Sequence, residues 1–309
     1  MVSKIEGPVV VIGATGAQGG AVAKALLAAG RPVHALVRQP SSGPALALKA
    51  AGATLVTGDM DDRASLDRAL DGAAAVFSVQ VPPTGDDPEL EVRTGTKLVD
   101  AAFSAGVRMF VHTSVARAGD QTSFAPWSGG DGKWAAGYWT SKSAVNDTVK
   151  AKGFAHYVIL KPAFLMENFA APRAQFMFPG LESGRLVTAI RPDRPLDLIA
   201  AGDIGMFTAA ALDDPEKFDR AEIDLAAESL TMVQIADALS RGTGRNVVAE
   251  SLSPEDAVSR GLREGVVQSQ DWNNVEGYKV DVARLHAWGV PLQSFNDWIV
   301  DNQYRVMVP

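Results

Sequence analysis

The chain has 309 residues, of which 47% are hydrophobic and 21% are charged, a balance typical of a folded globular protein. Its 36 acidic side chains outnumber its 29 basic ones, and the formal net charge is −7. This argues against nucleic acid as a partner, because phosphate backbones are bound by clustered Lys and Arg. Cysteine is absent, which excludes disulfides, thiolate nucleophiles and zinc–cysteine sites.

The N-terminal residues and the apolar runs bear on location. Residues 1–8 lack the charged-then-apolar pattern of a secretory signal. The longest apolar runs fall well short of the roughly 20 residues that span a bilayer. We therefore expect a cytoplasmic protein without a membrane partner.

Short apolar runs alternate with Ala-rich amphipathic segments through the first half of the chain. The runs predict six strands, at residues 8–12, 33–37, 53–57, 73–79, 107–112 and 155–160. The segments between them predict helices at residues 17–29, 46–51, 65–70, 90–105 and 135–152. Strands separated by helices indicate a doubly wound α/β fold, with a parallel sheet covered on both faces.

The regular alternation fades after Pro162, which suggests a second, smaller α+β part. Here the sequence predicts a strand at 221–225, helices at 201–212, 232–240 and 294–301, and a further helix start at Ser253. We place the domain boundary between 1–162 and 163–309, with the second part able to return elements to the first.

A glycine motif follows the first strand directly and opens the first helix. It has the spacing G-x-x-G-x-x-G and consists of Gly13, Ala14, Thr15, Gly16, Ala17, Gln18 and Gly19. Glycines at these places allow a tight turn, close approach to a pyrophosphate and close packing of helix on strand. The pattern predicts a dinucleotide-binding Rossmann domain; the alternative is a glycine-rich turn that binds nothing.

The end of the second strand indicates which dinucleotide is bound. An acidic residue that would bind the ribose of NAD is missing from residues 34–40, and Arg38 stands there instead. A guanidinium suits a 2′-phosphate by charge and geometry, which favours NADP(H), although Arg38 could simply be solvated. After the third strand come Asp59 and Met60; the Asp59 carboxylate could accept a hydrogen bond from the adenine, or cap the next helix.

A Tyr-x-x-x-Lys pattern marks the candidate chemistry. Tyr138 and Lys142 are four residues apart on a predicted helix and therefore share a face. A neighbouring cation brings a phenol closer to useful acid–base range, so Tyr138 could supply the proton that accompanies hydride transfer. Ser114, at the end of the fifth strand, could hydrogen-bond the reacting oxygen. The alternative is that Tyr138 packs on the sheet and Lys142 only binds a ribose.

These residues resemble those of the NmrA-like family of atypical short-chain dehydrogenases/reductases, including its HSCARG-type redox sensors. The resemblance runs nearly end to end. It is carried by residues 13–20, 37–38, 58–59, Lys142, 167–169 and 294–298. Tyr138 departs from the sensor branch, which generally lacks this tyrosine, and this favours catalysis.

The resemblance implies an NADP-binding Rossmann domain, a small substrate-binding region and a set of cofactor contacts. Arg38 would bind the adenosine 2′-phosphate and Lys142 the nicotinamide ribose. The further residues expected near the cofactor are Gln80, Arg93, Pro162, Glu167 and Asn168.

Two functions follow from these observations. The first is an NADPH-dependent oxidoreductase acting on a small carbonyl, quinone, imine or similar conjugated substrate, with Tyr138 as proton donor. Trp127, Trp134 and Trp139 flank the Tyr-Lys pair in sequence and suit a flat or apolar substrate, or else they cover the sheet edge. The second is a non-catalytic NADP(H) sensor acting through a protein partner.

No metal is expected, because the four histidines are scattered without metal-ligand spacing.

Overall fold

The computed structural model describes residues 4–125 and 134–306, which form two compact units. The first unit comprises the described chain up to Gly119 together with Gly137–Lys161 and Ala201–Asp224. The second comprises the described parts of Asp120–Ala136, Pro162–Ala200 and the chain from Leu225 onward. The units therefore interleave along the sequence, and each is built from several separate segments.

Twelve strands are formed within the described ranges. They are β1 Val9–Val11, β2 Val33–Val37, β3 Thr54–Thr57, β4 Ala75–Val79, β5 Met109–Thr113, β6 His156–Pro162, β7 Phe164–Leu165, β8 Arg185–Thr188, β9 Pro195–Ile199, β10 Ala221–Leu225, β11 Glu228–Thr231 and β12 Val248–Ser251.

Thirteen α-helices and several short 3₁₀ turns connect the strands in the same ranges. The helices are α1 Ala17–Ala28, α2 Gly43–Ala50, α3 Arg63–Leu70, α4 Leu90–Ser104, α5 Ala136–Lys152, α6 Ala174–Met177, α7 Ala201–Asp213, α8 Pro215–Phe218, α9 Met232–Thr243, α10 Pro254–Ser259, α11 Glu264–Val275, α12 Val282–Leu285 and α13 Phe295–Asn302. In the part of the chain that the structure describes, no helix has the length and apolar character needed to cross a membrane.

The first unit is built on a seven-stranded sheet in the order β10-β6-β5-β4-β1-β2-β3. The pairs from β3 to β6 are all parallel, with Val10 beside both His34 and Val76. Every residue of β1 is buried, as expected for a strand covered on both faces. The six predicted strands are all present, so the doubly wound α/β fold is confirmed. The strand order reverses between β1 and β4, and ligands of such sheets bind at the carboxyl edge beside that point.

Helix α7 packs closely on α1 in this unit, although the two helices are far apart along the chain. The contact is made at Gly205, where an added Cβ would lie 2.8 Å from the Ala25 Cβ and 3.0 Å from the Ala21 carbonyl oxygen. Glycine at this position therefore lets the two helix backbones approach. This contact explains why 201–224 belongs to the first unit although it follows strands of the second.

The second unit contains two small sheets around a core rich in aromatic side chains. One sheet has the order β11-β9-β7, with β9 antiparallel to β11 and parallel to β7, and the other pairs β8 with β12 in parallel. Phe169 and Phe178 stack with ring centroids 4.8 Å apart, and Phe295 and Trp298 stack at 5.7 Å. The predicted helices 232–240 and 294–301 are present in this unit, while the predicted strand 221–225 is β10 of the first unit's sheet. Strands β7, β8, β9, β11 and β12 were not foreseen from the sequence.

Replacing Gly205 with Ala tests the contact between α1 and α7. Overpacking of this kind costs about 1–3 kcal/mol, while alanine gains up to about 1 kcal/mol in helix propensity. We expect Gly205→Ala to lower the free energy of unfolding measured with urea. Gly202→Ala on the same helix is the matched control: its new Cβ meets nothing within 4 Å, so stability should hold or rise. Equal gains in the free energy of unfolding in both variants would contradict the close approach of α7 to α1 at Gly205.

Candidate cofactor and active site

The glycine loop brings the start of α1 against the end of β1. Gly13 has a φ of +64°, and its carbonyl accepts a hydrogen bond of 2.8 Å from the Gly16 N–H. A Cβ on Gly13 would lie 2.7 Å from Val79 Cγ1, and one on Gly19 would overlap the Gly13 carbonyl. Only glycine fits at both places. Because α1 begins at Ala17 behind a residue without a side chain, its first N–H groups remain available to an anion.

The other motif residues divide between the core and the surface. Ala14 is buried, Thr15 is exposed, and Gln18 is half-buried. The Gln18 carbonyl oxygen accepts a hydrogen bond of 2.7 Å from the Thr113 hydroxyl, which ties the loop to the end of β5.

A cavity of about 420 Å³ opens beside the glycine loop at the end of β2. Its lining residues are Thr15, Val37, Arg38, Gln39, Ser42 and Pro44. Arg38 is exposed, and its guanidinium makes no ion pair or hydrogen bond with any residue in 4–125 or 134–306. An open cavity that presents an unpaired guanidinium next to a glycine loop fits an anionic group such as the 2′-phosphate of NADP.

Asp59 and Met60 lie in the loop between β3 and α3. The Asp59 side chain is exposed and accepts a hydrogen bond of 2.8 Å from the Asp61 N–H. Helix α3 is capped by Asp62, whose side chain accepts from the Ala64 N–H. Helix capping therefore does not account for Asp59, while Met60 packs against the core of the first unit.

Gln80 follows β4 and is fixed by hydrogen bonds at both ends of its amide. Its carbonyl oxygen accepts from the Thr94 hydroxyl at 3.1 Å, and its amino group donates to the Ser78 hydroxyl at 3.0 Å. Ser78 in turn lies 3.1 Å from His112 Nδ1. The pKa of His112 is lowered to about 3, mainly because the ring is buried and to a lesser extent because Lys142 is positively charged. This histidine is therefore neutral at physiological pH.

Arg93, which the resemblance places near the cofactor, is engaged by two carboxylates. Its guanidinium lies 2.7 Å from Asp87 Oδ2 and 3.0 Å from Asp61 Oδ1. Lys97 also contacts Asp61, at 2.7 Å. These ion pairs hold the loop before α4 to the loop before α3. A cofactor contact by Arg93 stays a prediction, and it would have to be made alongside these pairs.

The candidate catalytic residues come from β5 and α5. The Lys142 Nζ lies 5.5 Å from the centroid of the Tyr138 ring, which is half-buried. Ser114 follows β5, and its buried hydroxyl has no hydrogen-bond partner among the described residues. A buried hydroxyl left unpaired is available to a substrate oxygen.

Glu91 is a buried residue of this site that was not predicted from the sequence. It lies in the first turn of α4, and its Oε1 is 2.5 Å from Lys142 Nζ. A signal was present in the sequence: Glu91 shares the buried face of α4 with Thr94, Gly95 and Leu98, at spacings of three, four and seven. A carboxylate on the buried face of a helix indicates a buried partner.

The remaining candidates belong to the second unit. Pro162 ends β6, and Glu167 and Asn168 lie in a buried 3₁₀ turn at Met166–Phe169. Glu167 Oε1 accepts a hydrogen bond of 3.1 Å from Trp298 Nε1. This bond joins two segments that the resemblance had singled out separately.

Two of the three tryptophans around the Tyr-Lys pair are described, one in each unit. Trp139 is buried on α5, and its ring meets that of Tyr138 edge-on at 5.5 Å. Trp134 is part of the second unit, where its Nε1 donates to Asp271 at 2.8 Å. Trp127 lies outside the described residues.

The strand order and the glycine loop together define a Rossmann-type protein. The chain belongs to the NmrA-like family, whose model matches residues 6–287. One relative is the (4-alkanoyl-5-oxo-2,5-dihydrofuran-3-yl)methyl phosphate reductase of Streptomyces griseus, which is 28% identical over 303 residues, covering 95% of this chain and 97% of the relative.

Solved structures share the same fold. Triphenylmethane reductase of Citrobacter sp., complexed with NADP(H), has a TM-score of 0.74 at 20% identity, covering 96% of this chain and 100% of that chain. NmrA, a negative transcriptional regulator in complex with NAD, has a TM-score of 0.76 at 20% identity, covering 97% and 98%. The fold is thus shared by a reductase and by a regulator.

Replacing Asp61 with Asn tests the ion pairs around Arg93. The pKa of Asp61 is lowered from 3.8 to about 2, chiefly by the hydrogen bond from Arg93 and next by the one from Lys97. The stabilisation that the ionised Asp61 gives the folded state is therefore complete above about pH 4 and is lost as the pH falls through about 2. Because Asp61 is half-exposed, we expect Asp61→Asn to cost at most about 1 kcal/mol at neutral pH.

Urea unfolding at several pH values measures this cost. The difference between wild type and variant should shrink as the pH falls from about 4 towards 2, and raised salt should shrink it at neutral pH. Asp86→Asn, on the same loop as Asp87, is the control, because Asp86 makes no ion pair within the described chain. A difference independent of pH would contradict the assignment.

Proposed function

We propose that this protein is an NADPH-dependent reductase that acts on a small carbonyl, quinone, imine or similar conjugated substrate. The observation that carries the proposal is the Tyr138–Lys142 pair on α5, with the ammonium 5.5 Å from the phenol ring. The pair stands on the helix that follows β5, at the carboxyl edge of the sheet where ligands of this fold class bind.

The residues present fit NADPH. The loop at Gly13 and Gly19 leaves no room for a Cβ, as expected where a backbone must approach a pyrophosphate closely. The unpaired Arg38 guanidinium and Thr15 line one cavity, which suits the 2′-phosphate. Together these features support NADPH over NADH, and Lys142 is the residue that we assign to the nicotinamide ribose.

The chemistry assigned to the chain is proton delivery and orientation. NADPH, when bound, supplies the hydride. Tyr138 donates a proton to the substrate atom that gains electron density, and Ser114 Oγ, which has no partner among the described residues, hydrogen-bonds that atom. Asp59, Met60, Gln80, Glu167 and Asn168 stay candidates for cofactor contacts.

The comparisons support a conjugated substrate. The Streptomyces relative is named as a reductase of a dihydrofuranone phosphate, and the Citrobacter structure as a triphenylmethane reductase. We infer an apolar setting for such a substrate, because the buried Trp139 ring packs edge-on against the Tyr138 ring.

A second candidate function is a non-catalytic NADP(H) sensor that acts through a protein partner. The observation that favours it is the ion pair between Glu91 and Lys142. The negative carboxylate offsets the positive charge that would otherwise act on Tyr138. The structural neighbour described as a negative transcriptional regulator is consistent with it. Oxidation of NADPH across a panel of quinones, aldehydes, imines and dyes separates the two, since a sensor would turn over none of them.

Replacing Arg38 with Ala tests the cofactor. Loss of a charge-assisted contact of about 1.5–3 kcal/mol should weaken NADPH binding roughly 10- to 100-fold, while NADH binding should change little. Calorimetry with both cofactors measures this. Arg68→Ala removes the same charge from α3 and should leave both affinities unchanged. Equal affinity of the wild type for NADPH and NADH would contradict the assignment.

Replacing Tyr138 with Phe tests the proton donor. The ring stays and only the hydroxyl is lost, so folding and NADPH affinity should survive. The rate of substrate reduction should fall by about 10²–10⁴, the usual contribution of a positioned acid. Tyr304→Phe, at a side chain that is 82% exposed, should leave the rate unchanged. A wild-type rate in Tyr138→Phe would make Tyr138 a packing residue.

A further inference from the structure

The loop between β3 and α3 fixes the Asp59 carboxylate and leaves one of its oxygens available. The Asp59 N–H donates to the Ser65 hydroxyl at 2.9 Å, and Ser65 is buried. Asp59 Oδ1 accepts a hydrogen bond of 2.8 Å from the Asp61 N–H. Asp59 Oδ2 has no hydrogen-bond partner within residues 4–125 and 134–306. Because Asp59 is exposed, this second oxygen can accept a hydrogen bond from a ligand.

Asp59 and Arg38 follow neighbouring strands at the same edge of the sheet. Val37 stands beside Thr57 in the pairing of β2 with β3, and the Gly58 N–H donates to the Val37 carbonyl at 3.1 Å. In NADPH the 2′-phosphate and the adenine are attached to adjacent carbons of one ribose. A cofactor bound through Arg38 is therefore expected to bring its base towards the Asp59 loop. The adenine 6-amino group is a donor that suits the available carboxylate oxygen.

Two cations on α4 hold Asp61, the residue whose N–H fixes Asp59. Arg93 and Lys97 are four residues apart on α4 and therefore share a face. Arg93 Nε lies 3.0 Å from Asp61 Oδ1, and Arg93 Nη2 lies 3.3 Å from Asp61 Oδ2. Lys97 Nζ lies 2.7 Å from Asp61 Oδ1 and 3.1 Å from the Asp61 carbonyl oxygen. The backbone and the side chain of Asp61 are thus both tied to α4.

The donors of Arg93 are mostly engaged by carboxylates. Besides Asp61, the guanidinium contacts Asp87, with Nη1 3.0 Å from Oδ1 and Nη2 2.7 Å from Oδ2. All three guanidinium nitrogens therefore donate to a carboxylate oxygen. Together with Lys97, the cluster carries two positive and two negative charges and is neutral overall. A neutral, internally paired cluster is better suited to holding a loop than to attracting the phosphates of a cofactor.

We propose that Asp61 and Arg93 are positioning residues for the base of the cofactor: they hold the Asp59 carboxylate where it accepts a hydrogen bond from the adenine 6-amino group. The proposal rests on the cofactor of the function proposed above, though not on turnover. When the ion pairs are broken, the loop samples positions in which Asp59 cannot reach the base. The apparent affinity for adenine then falls with the fraction of time that the loop is in place.

The test compares NADPH with its analogue that carries hypoxanthine in place of adenine. Hypoxanthine has a carbonyl oxygen where adenine has the 6-amino group, so it offers Asp59 no donor at that position. Calorimetry on the cofactor-free protein measures both dissociation constants. In the wild type NADPH should bind at least about tenfold more tightly, as expected for a hydrogen bond to a charged group. Asp59→Ala should abolish this preference.

Replacing Asp61 with Asn removes the charge that Arg93 and Lys97 hold, while the backbone N–H that fixes Asp59 is kept. Because the broken pairs are exposed, we expect the preference for NADPH to fall by about two- to fivefold. The affinity for the hypoxanthine analogue should hold or rise. A merely structural role of Asp61 would weaken both ligands together and leave the ratio of their affinities unmoved.

Arg93→Gln distinguishes positioning from a direct contact with the cofactor. If Arg93 acts through Asp61, the variant lowers the preference for NADPH, and adding it to Asp61→Asn lowers that preference no further. If Arg93 instead contacts a part of the cofactor that both ligands share, the variant weakens both ligands equally in either background. That second result would contradict the proposal.

Asp67→Asn is the matched control, and salt gives a second readout. Asp67 and Arg63 form an exposed ion pair of 2.7 Å on α3, and neither side chain contacts Asp59 or Asp61 in the described chain. The preference of this variant should equal that of the wild type. Raised salt screens exposed pairs, so it should lower the wild-type preference towards that of Asp61→Asn. The two ligands carry the same phosphates, so the effect of salt on phosphate binding cancels in the ratio.

The positioning role and the reductase function can fail separately. Equal affinity of the wild type for the two ligands, an unmoved ratio in Asp61→Asn, or an equal shift in Asp67→Asn would each overturn the positioning role. If the ratio shifts as expected while no substrate of the panel is reduced, the reductase function fails and the positioning role stands. If a substrate is reduced but the ratio does not move, the reductase function stands and the positioning role fails. Absence of binding by either ligand would overturn both.

Discussion

The first unit depends on how closely the first turn of α1 approaches the end of β1. A Cβ on Gly19 would overlap the Gly13 carbonyl, so glycine is required for the helix to sit there at all. This approach fixes where the N–H groups of α1 point, and it lays α1 along the sheet where α7 can pack on it through Gly205. One backbone contact thus determines both the candidate phosphate site and the way residues 201–213 join the unit.

The contact between α4 and α5 is a second constraint of the same kind. A Cβ on Gly95 would lie 2.9 Å from Val145 Cγ2, so the small residue lets the two helices come close enough for Glu91 to reach Lys142. Burying two charges carries a large desolvation cost, which their attraction offsets only with good geometry and further hydrogen bonds. Ser141 supplies such a bond. Losing one partner would leave a buried charge unpaired and cost about 3–5 kcal/mol, so the pair bears on folding.

Much of the first unit could be predicted from the sequence because its signals are local. The apolar run of β1, the glycines and the helix behind them are consecutive, and so are the elements up to β6. Arg38 and the Tyr138–Lys142 spacing are local signals too. Prediction from the sequence failed where partners are distant: β8 pairs with β12 far along the chain, and neither strand shows clear alternation. Short strands in small sheets take their stability from cross-strand packing, which no local pattern records.

The sequence by itself determined the fold class, the glycine loop and the absence of an acid at the end of β2, because each depends on residue types within one strand–turn–helix unit. Only the tertiary structure decided which groups stand beside Lys142 and Arg93. Glu91 reaches Lys142 across 51 positions, and Asp61 reaches Arg93 across 32. The sequence shows that these charges exist, but the strength of each interaction depends on distance and burial. Those are set by helix packing, so the pairing of Glu91 with Lys142 appears only once α4 and α5 are in contact.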